Sequence, residues 1–133
     1  IEADRRKAGF LTHVCGLFGL AGVTVDPRRA EVAGHDPALR EHFDLAVSRA
    51  AAPPPLLCEL SLPLVKAGGG LWALVADAGA AASACGELPP DLGAGTPIAV
   101  APGVLHVPKL TATAGRWPPP RWRAHPTARR RRR

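Results

Sequence analysis

An α/β domain built on a parallel sheet is the fold class this sequence predicts, and three observations predict it. Short β-branched or apolar runs alternate with amphipathic stretches along the chain. The run Phe43-Asp44-Leu45-Ala46-Val47-Ser48 is apolar at positions of both parities, the pattern of a parallel strand covered by helices on both faces. Two late runs, Pro97 to Ala101 and Val104 to Lys109, flank Pro102-Gly103 and read as an antiparallel hairpin.

The elements follow in order. From Asp4 to Leu20, the residues Phe10, Leu11, Val14, Leu17 and Phe18 form one stripe of a helix that Gly19 closes. Gly22-Val23-Thr24-Val25 is short and β-branched, hence a strand, and a loop then carries Arg28 to Glu31. Asp36-Pro37 has the form of a helix cap and first turn, which predicts a short helix over Ala38 to His42. After Pro53 to Pro55 a second amphipathic helix runs over about residues 54 to 66, with Pro63 disturbing its last turn. Gly68-Gly69-Gly70 follows a helix and lacks the trailing Lys-Ser or Lys-Thr of a phosphate loop, so it reads as a helix stop. Leu71 to Val75 is the next buried strand, and the Ala-rich stretch Ala78 to Glu87 a helix. Past Lys109 the composition turns to Pro and Arg without an apolar period, which predicts irregular or disordered chain. The expected division is a domain over 1–110 and a Pro/Arg-rich tail over 111–133.

The chain has 133 residues, 47% hydrophobic and 21% charged, in the range of ordinary globular domains. It contains no Met and opens on Ile1-Glu2-Ala3-Asp4, which reads as a strand end entering a helix, hence as a fragment. Lys and Arg number 17 against 11 Asp and Glu, a net charge of +6. Arg116, Arg121, Arg123 and Arg129 to Arg133 account for more than that whole excess, leaving a body near neutral. Such an excess favours a polyanionic partner, which the tail could hold through phosphate contacts. GC-rich coding explains such a tail equally well. Cys15, Cys58 and Cys85 are widely spaced, without C-x-x-C or metal-ligand spacing, and are expected to be buried reduced thiols. No apolar run approaches a membrane span, and the five scattered histidines suit surface or capping roles.

The stretch Asp36-Pro37-Ala38-Leu39-Arg40-Glu41-His42-Phe43-Asp44-Leu45-Ala46-Val47-Ser48-Arg49-Ala50 resembles the "REKFD…SRA" stretch of the bacterial-type small-subunit ribosomal RNA guanine-N7 methyltransferases, also called glucose-inhibited division protein B. Ile1 to Leu11 resembles that family's "VESxxKKxxFL", and Val23-Thr24-Val25 with Arg29-Ala30-Glu31 its "NVEVVxGRAE". Leu62 to Gly69 resembles "LPLVKxGG", and Lys109 through Trp117-Pro118 faintly resembles "KxxPTPxxYPR".

The resemblance implies a Rossmann-like fold that uses S-adenosyl-L-methionine to methylate N7 of one guanine in small-subunit ribosomal RNA. It implies an incomplete copy of that fold, since the family's first strand and its "GxGxGFPG" loop have no counterpart here. A gap beside the Phe43 strand is therefore expected, and cofactor binding only once that upstream part is restored. Glu2 stands where the family's second strand ends and its carboxylate would hold the ribose hydroxyls. Ala30 and Glu31 would flank the adenine, and Arg49 would serve both cofactor binding and catalysis at the methyl-transfer cleft. Guanine N7 has a free lone pair, so positioning and charge suffice without a general base. Arg116, Arg121, Arg123, Arg129, Arg130 and Arg131 would contact RNA. Helix-start charges for Glu2 and Asp4, and a solvated loop arginine for Arg49, are the plainer alternatives.

The family's strand-end lysine is replaced by Val75, and Ala112 and Ala114 stand for closing prolines. A second function therefore stays open, a non-catalytic remnant or RNA-binding protein keeping half the fold. The expected protein is monomeric, without membrane attachment, and cytoplasmic, or in the plastid stroma if it comes from an alga or plant.

Overall fold

A computed structural model describes residues 1–49 and 51–120. Helix α1 spans Arg5–Leu17 and starts where Asp4 caps it, Oδ1 accepting from Arg6 N at 2.9 Å and Lys7 N at 3.2 Å. Its apolar stripe forms as expected but is left in solvent: Phe10 is 64% and Leu17 70% exposed, and Ala8 is its buried residue. A four-residue helix α2, Ala30–Ala33, stands where a loop was expected.

The sheet holds β1 (Phe43–Arg49), β2 (Val65–Leu74), β3 (Ile98–Ala101) and β4 (Val104–Pro108), in the order β1-β2-β4-β3. β1 and β2 are parallel, and the β3-β4 hairpin joins antiparallel through β4. Helices α3 (Pro54–Ser61) and α4 (Ala78–Ala84) pack on one face. There Leu57, Cys58, Leu62, Leu71, Ala73, Ala81, Cys85, Leu92, Leu105 and Val107 form the core. Alternation along the strands sends Leu71 and Ala73 into it and Trp72 and Leu74 to the other side.

Val23 to Val25 is not a strand of the sheet; Val23 N donates to Leu20 O at 3.2 Å, and next to the run Glu2 N donates to Asp26 O at 2.9 Å, too little pairing to make a ladder. Ala38 to His42 makes one turn rather than a helix, held by Asp36, whose Oδ1 accepts from Ala38 N. The second amphipathic helix stops at Ser61, and the 3-10 turn Leu62–Leu64 around Pro63 delivers the chain straight into β2. Gly68 to Gly70 is thus part of β2 and not a helix stop. The register slips there, Phe43 facing Val65 and Leu45 facing Gly70, and a Cβ on Gly69 would lie 2.1 Å from Asp44 O.

β1 was expected to be buried on both faces, and it is exposed. It ends the sheet, and no described helix covers the face that carries Leu45 (50% exposed) and Val47 (72%). Trp72, Leu74 and Ile98 continue this open apolar face across the other strands. Residues 111–120 are irregular, as expected, yet pack closely, with Thr113 and Pro118 buried. Cys58 and Cys85 are buried free thiols as expected, whereas Cys15 is half-exposed. Among the described residues no helix is long and apolar enough to cross a membrane.

Candidate functional site

Two concavities lie at the carboxyl ends of the parallel strands and along β1, and they divide the expected site residues between them. The first, about 490 Å³, runs beside β1 and is lined by Ile1, Thr24, Asp26, Ala30, Leu45 and Ser48, among others. Ala30 thus faces it directly. Glu31 follows in the first turn of α2 rather than in a loop. Glu2 is tied to the wall of this groove through Asp26, and its Oε1 accepts from Asp4 N at 2.8 Å. Asp4 itself caps α1, in keeping with the plainer reading of it as a helix-start charge.

Arg49 is exposed at the end of β1 and lines the second cleft, about 680 Å³, with Leu57, Leu74, Val75, Asp77 and Ala81. Leu57 borders both concavities. The structure therefore brings Ala30 and the Glu2 segment to one groove and sets Arg49 in the neighbouring cleft, with β1 as the shared wall. Asp77 caps α4, its Oδ1 accepting from Ala80 N at 2.9 Å.

Sequence reasoning passed over three charged residues, of which Arg28 anchors Asp26 in the wall of the groove while Arg40 and Lys109 fasten the closing segment. Arg28 forks onto Asp26, with Nε 2.9 Å from Oδ1, and reaches Asp36 Oδ2 at 2.7 Å. Hydrogen bonding to Arg28 holds the Asp26 carboxyl below its usual range; Asp36 is lowered first by the Ala38 amide and then by Arg28. Arg40 donates to four main-chain oxygens, those of Gly34 and Trp117 (2.8 and 2.7 Å) and of Thr113 and Ala114 (2.8 and 3.0 Å). Lys109 is buried, with Nζ donating to Leu62 O at 2.8 Å, to Glu41 Oε1 at 3.3 Å and to Thr113 Oγ1. A lone Lys at a strand end and an Arg-Glu pair were visible signals, but the partners they find across 68 to 77 residues were not.

Arg116 is largely exposed, paired with Asp91 (Nε to Oδ2, 2.7 Å), and its guanidinium lies 5.2 Å from the centre of the Trp117 ring. Arg121, Arg123, Arg129, Arg130 and Arg131 lie outside the described residues. Among the described residues, no group of three or more His, Cys, Asp or Glu is arranged to hold a metal ion.

No family model matches the chain. Curated proteins do. It is 44% identical over 69 residues to a protein of Roseiflexus castenholzii, a match covering 52% of this chain and 30% of that relative. Proteins of Dictyoglomus thermophilum (41% over 69 residues, 52% of this chain, 29% of the relative) and Geobacillus kaustophilus (40% over 76 residues, 57% and 32%) match likewise. All three are named ribosomal RNA small subunit methyltransferase G. Over about half its length, this chain is homologous to those methyltransferases. The matched part spans about a third of the length of these relatives.

Proposed function

We propose that this chain is part of an enzyme that methylates guanine N7 in small-subunit ribosomal RNA with S-adenosyl-L-methionine as donor. The observation that carries this reading is the 38–44% identity over 69 to 76 residues to proteins named for that class of reaction. The sheet supports it: a parallel β1-β2 pair continued by an antiparallel hairpin suits one half of a Rossmann-like methyltransferase sheet. In this reading residues 1–110 belong to the methyltransferase domain, residues 111–133 are its tail, and the open edge of β1 receives the strand that carries the glycine loop.

The residues present fit such a cofactor in part. The groove beside β1 is mainly apolar and has a carboxylate segment at its rim, as a nucleoside with a vicinal diol requires. When bound, the cofactor supplies the methyl group. Glu2 would hold the ribose hydroxyls, its carboxylate having acceptor sites to spare beside the one that Asp4 N occupies. Ala30 and Glu31 bound the adenine. Arg49, a cation at a strand end beside an apolar cleft, orients the target nucleotide through its phosphate or O6, and N7 attacks without losing a proton.

The test uses this chain joined to the upstream part of the Roseiflexus relative. Arg49→Ala should cut tritium transfer from donor to small-subunit RNA by about 100-fold or more while RNA retention on filters changes less than about threefold. Equal transfer by the two forms would remove Arg49 from the site.

A further inference from the structure

Cys58 lies on the core side of α3, and Cys85 is the residue that ends α4. Their exposures are 0% and 1%, and their sulfurs are 3.8 Å apart. The approach follows from composition. α4 is AGAAASA, so small side chains let its last turn settle onto α3, and the two thiols face each other where larger residues would hold the helices apart. Their neighbours Leu57 and Ala81 also line the cleft beneath Arg49.

We propose that Cys58 and Cys85 form a redox pair that closes to a disulfide, clamping α3 to the end of α4 under that cleft. The distance already sits close to what the bond requires, since closing from 3.8 Å to about 2 Å takes side-chain rotation and a small helix shift. The contact also divides the labour. The hydrogen bond between the two sulfurs holds the Cys85 thiol below its ordinary range while it raises that of Cys58. Cys85 is therefore the attacking sulfur.

With hydrogen peroxide as oxidant the steps balance. The Cys85 thiolate attacks one peroxide oxygen and breaks the O–O bond, leaving a sulfenic acid and a hydroxide that takes up the thiol proton as water. The Cys58 sulfur then attacks the Cys85 sulfur, the S–O bond breaks, and the departing hydroxide leaves with the Cys58 proton as a second water. Two thiols lose two electrons and two protons in all, and one peroxide becomes two waters.

The experiment uses the Cys15→Ser chain, in which these two cysteines remain. After peroxide treatment, the protein is denatured, alkylated with N-ethylmaleimide and weighed. Adducts should fall from two to none with loss of two hydrogens, a digest should show Cys58 joined to Cys85, and dithiothreitol should restore both adducts. Cross-linking in the native chain should outpace that in the urea-unfolded chain by roughly tenfold or more, because the fold supplies the proximity. Peptide mapping of the unsubstituted chain gives the same readout if Cys15→Ser folds poorly. Two surviving adducts, stable sulfinic acid at either position, or a bridge between separate chains would overturn the proposal.

Discussion

Lys109 and Glu41 meet across 68 residues of sequence, the ammonium 3.3 Å from Oε1, and the contact fastens the end of the sheet to the turn that leads into β1. The same Glu41 oxygen accepts from Thr113 N at 2.6 Å, and Thr113 Oγ1 donates to Leu92 O at 2.8 Å. Lys109→Ala takes the ammonium away from Leu62 O and from Glu41, which keeps the Thr113 amide but loses its lysine partner. It should destabilise the chain by about 2–4 kcal/mol, the lower part of the range for broken buried pairs because Glu41 keeps some solvent. Urea unfolding checks this; a loss below about 0.5 kcal/mol would show the network to be ornamental.

The same pair sets a pH dependence. Burial pushes the Glu41 carboxyl up, but the Thr113 amide and Lys109 outweigh it, so the net shift is downward. An acid with a lowered folded pKa contributes stability above its unfolded value, near 4.5, and loses it as pH falls through the lower folded value. Burial lowers Lys109 more than Glu41 raises it, so the lysine contributes nothing to this acid limb. Glu41→Gln should therefore flatten the fall in melting temperature below about pH 4.5. An unchanged acid limb would place the effect elsewhere, among Asp26, Asp36, Asp44 and Asp91, which are also lowered.

Much of the fold was legible because it rests on local pattern. The β3-β4 hairpin follows from Pro102-Gly103 between two apolar runs, and α1 from its 3.6-residue stripe and Asp4 cap. What failed depends on partners far along the chain. Val23 to Val25 has strand composition but no strand beside it among the described residues, and β1 has the composition of a strand covered on both faces while one face stands open. Gly68 to Gly70 looks like punctuation, yet the glycines serve close approach: Gly69 clears Asp44 O and Gly70 clears His106. Of the candidate site residues, Ala30 and the Glu2 segment lie at one groove and Arg49 at the neighbouring cleft, an arrangement that no local pattern encodes.

Gly69 offers a direct check on that reading of β2. A methyl group 2.1 Å from a main-chain oxygen cannot be accommodated by a rotamer change, so Gly69→Ala must shift β1 against β2. A cost of about 1–3 kcal/mol is expected, with loss of hydrogen-exchange protection along β1. Gly9→Ala, on an exposed face of α1 with open space around it, should instead be neutral or mildly stabilising.

Arg40 should govern the segment 111–120, since its four carbonyl contacts include Thr113, Ala114 and Trp117. Arg40→Ala is expected to cost about 2–3 kcal/mol and to speed tryptic cleavage after Arg116. Arg40→Lys should rescue only part, because an ammonium lacks the planar fork. Unchanged cleavage would mean that the closing segment is held by its other contacts, those of Thr113 with Glu41 and Leu92 and of Arg116 with Asp91.

The proposal as a whole turns on methyl transfer. The decisive measurement is tritium incorporation from S-adenosyl-L-methionine into small-subunit ribosomal RNA by this chain joined to the upstream part of the Roseiflexus relative, with the modified base mapped. Incorporation at N7 of one guanine is the expected result. A folded fusion that retains RNA and cofactor yet transfers no methyl group, or that modifies a different atom, would contradict it.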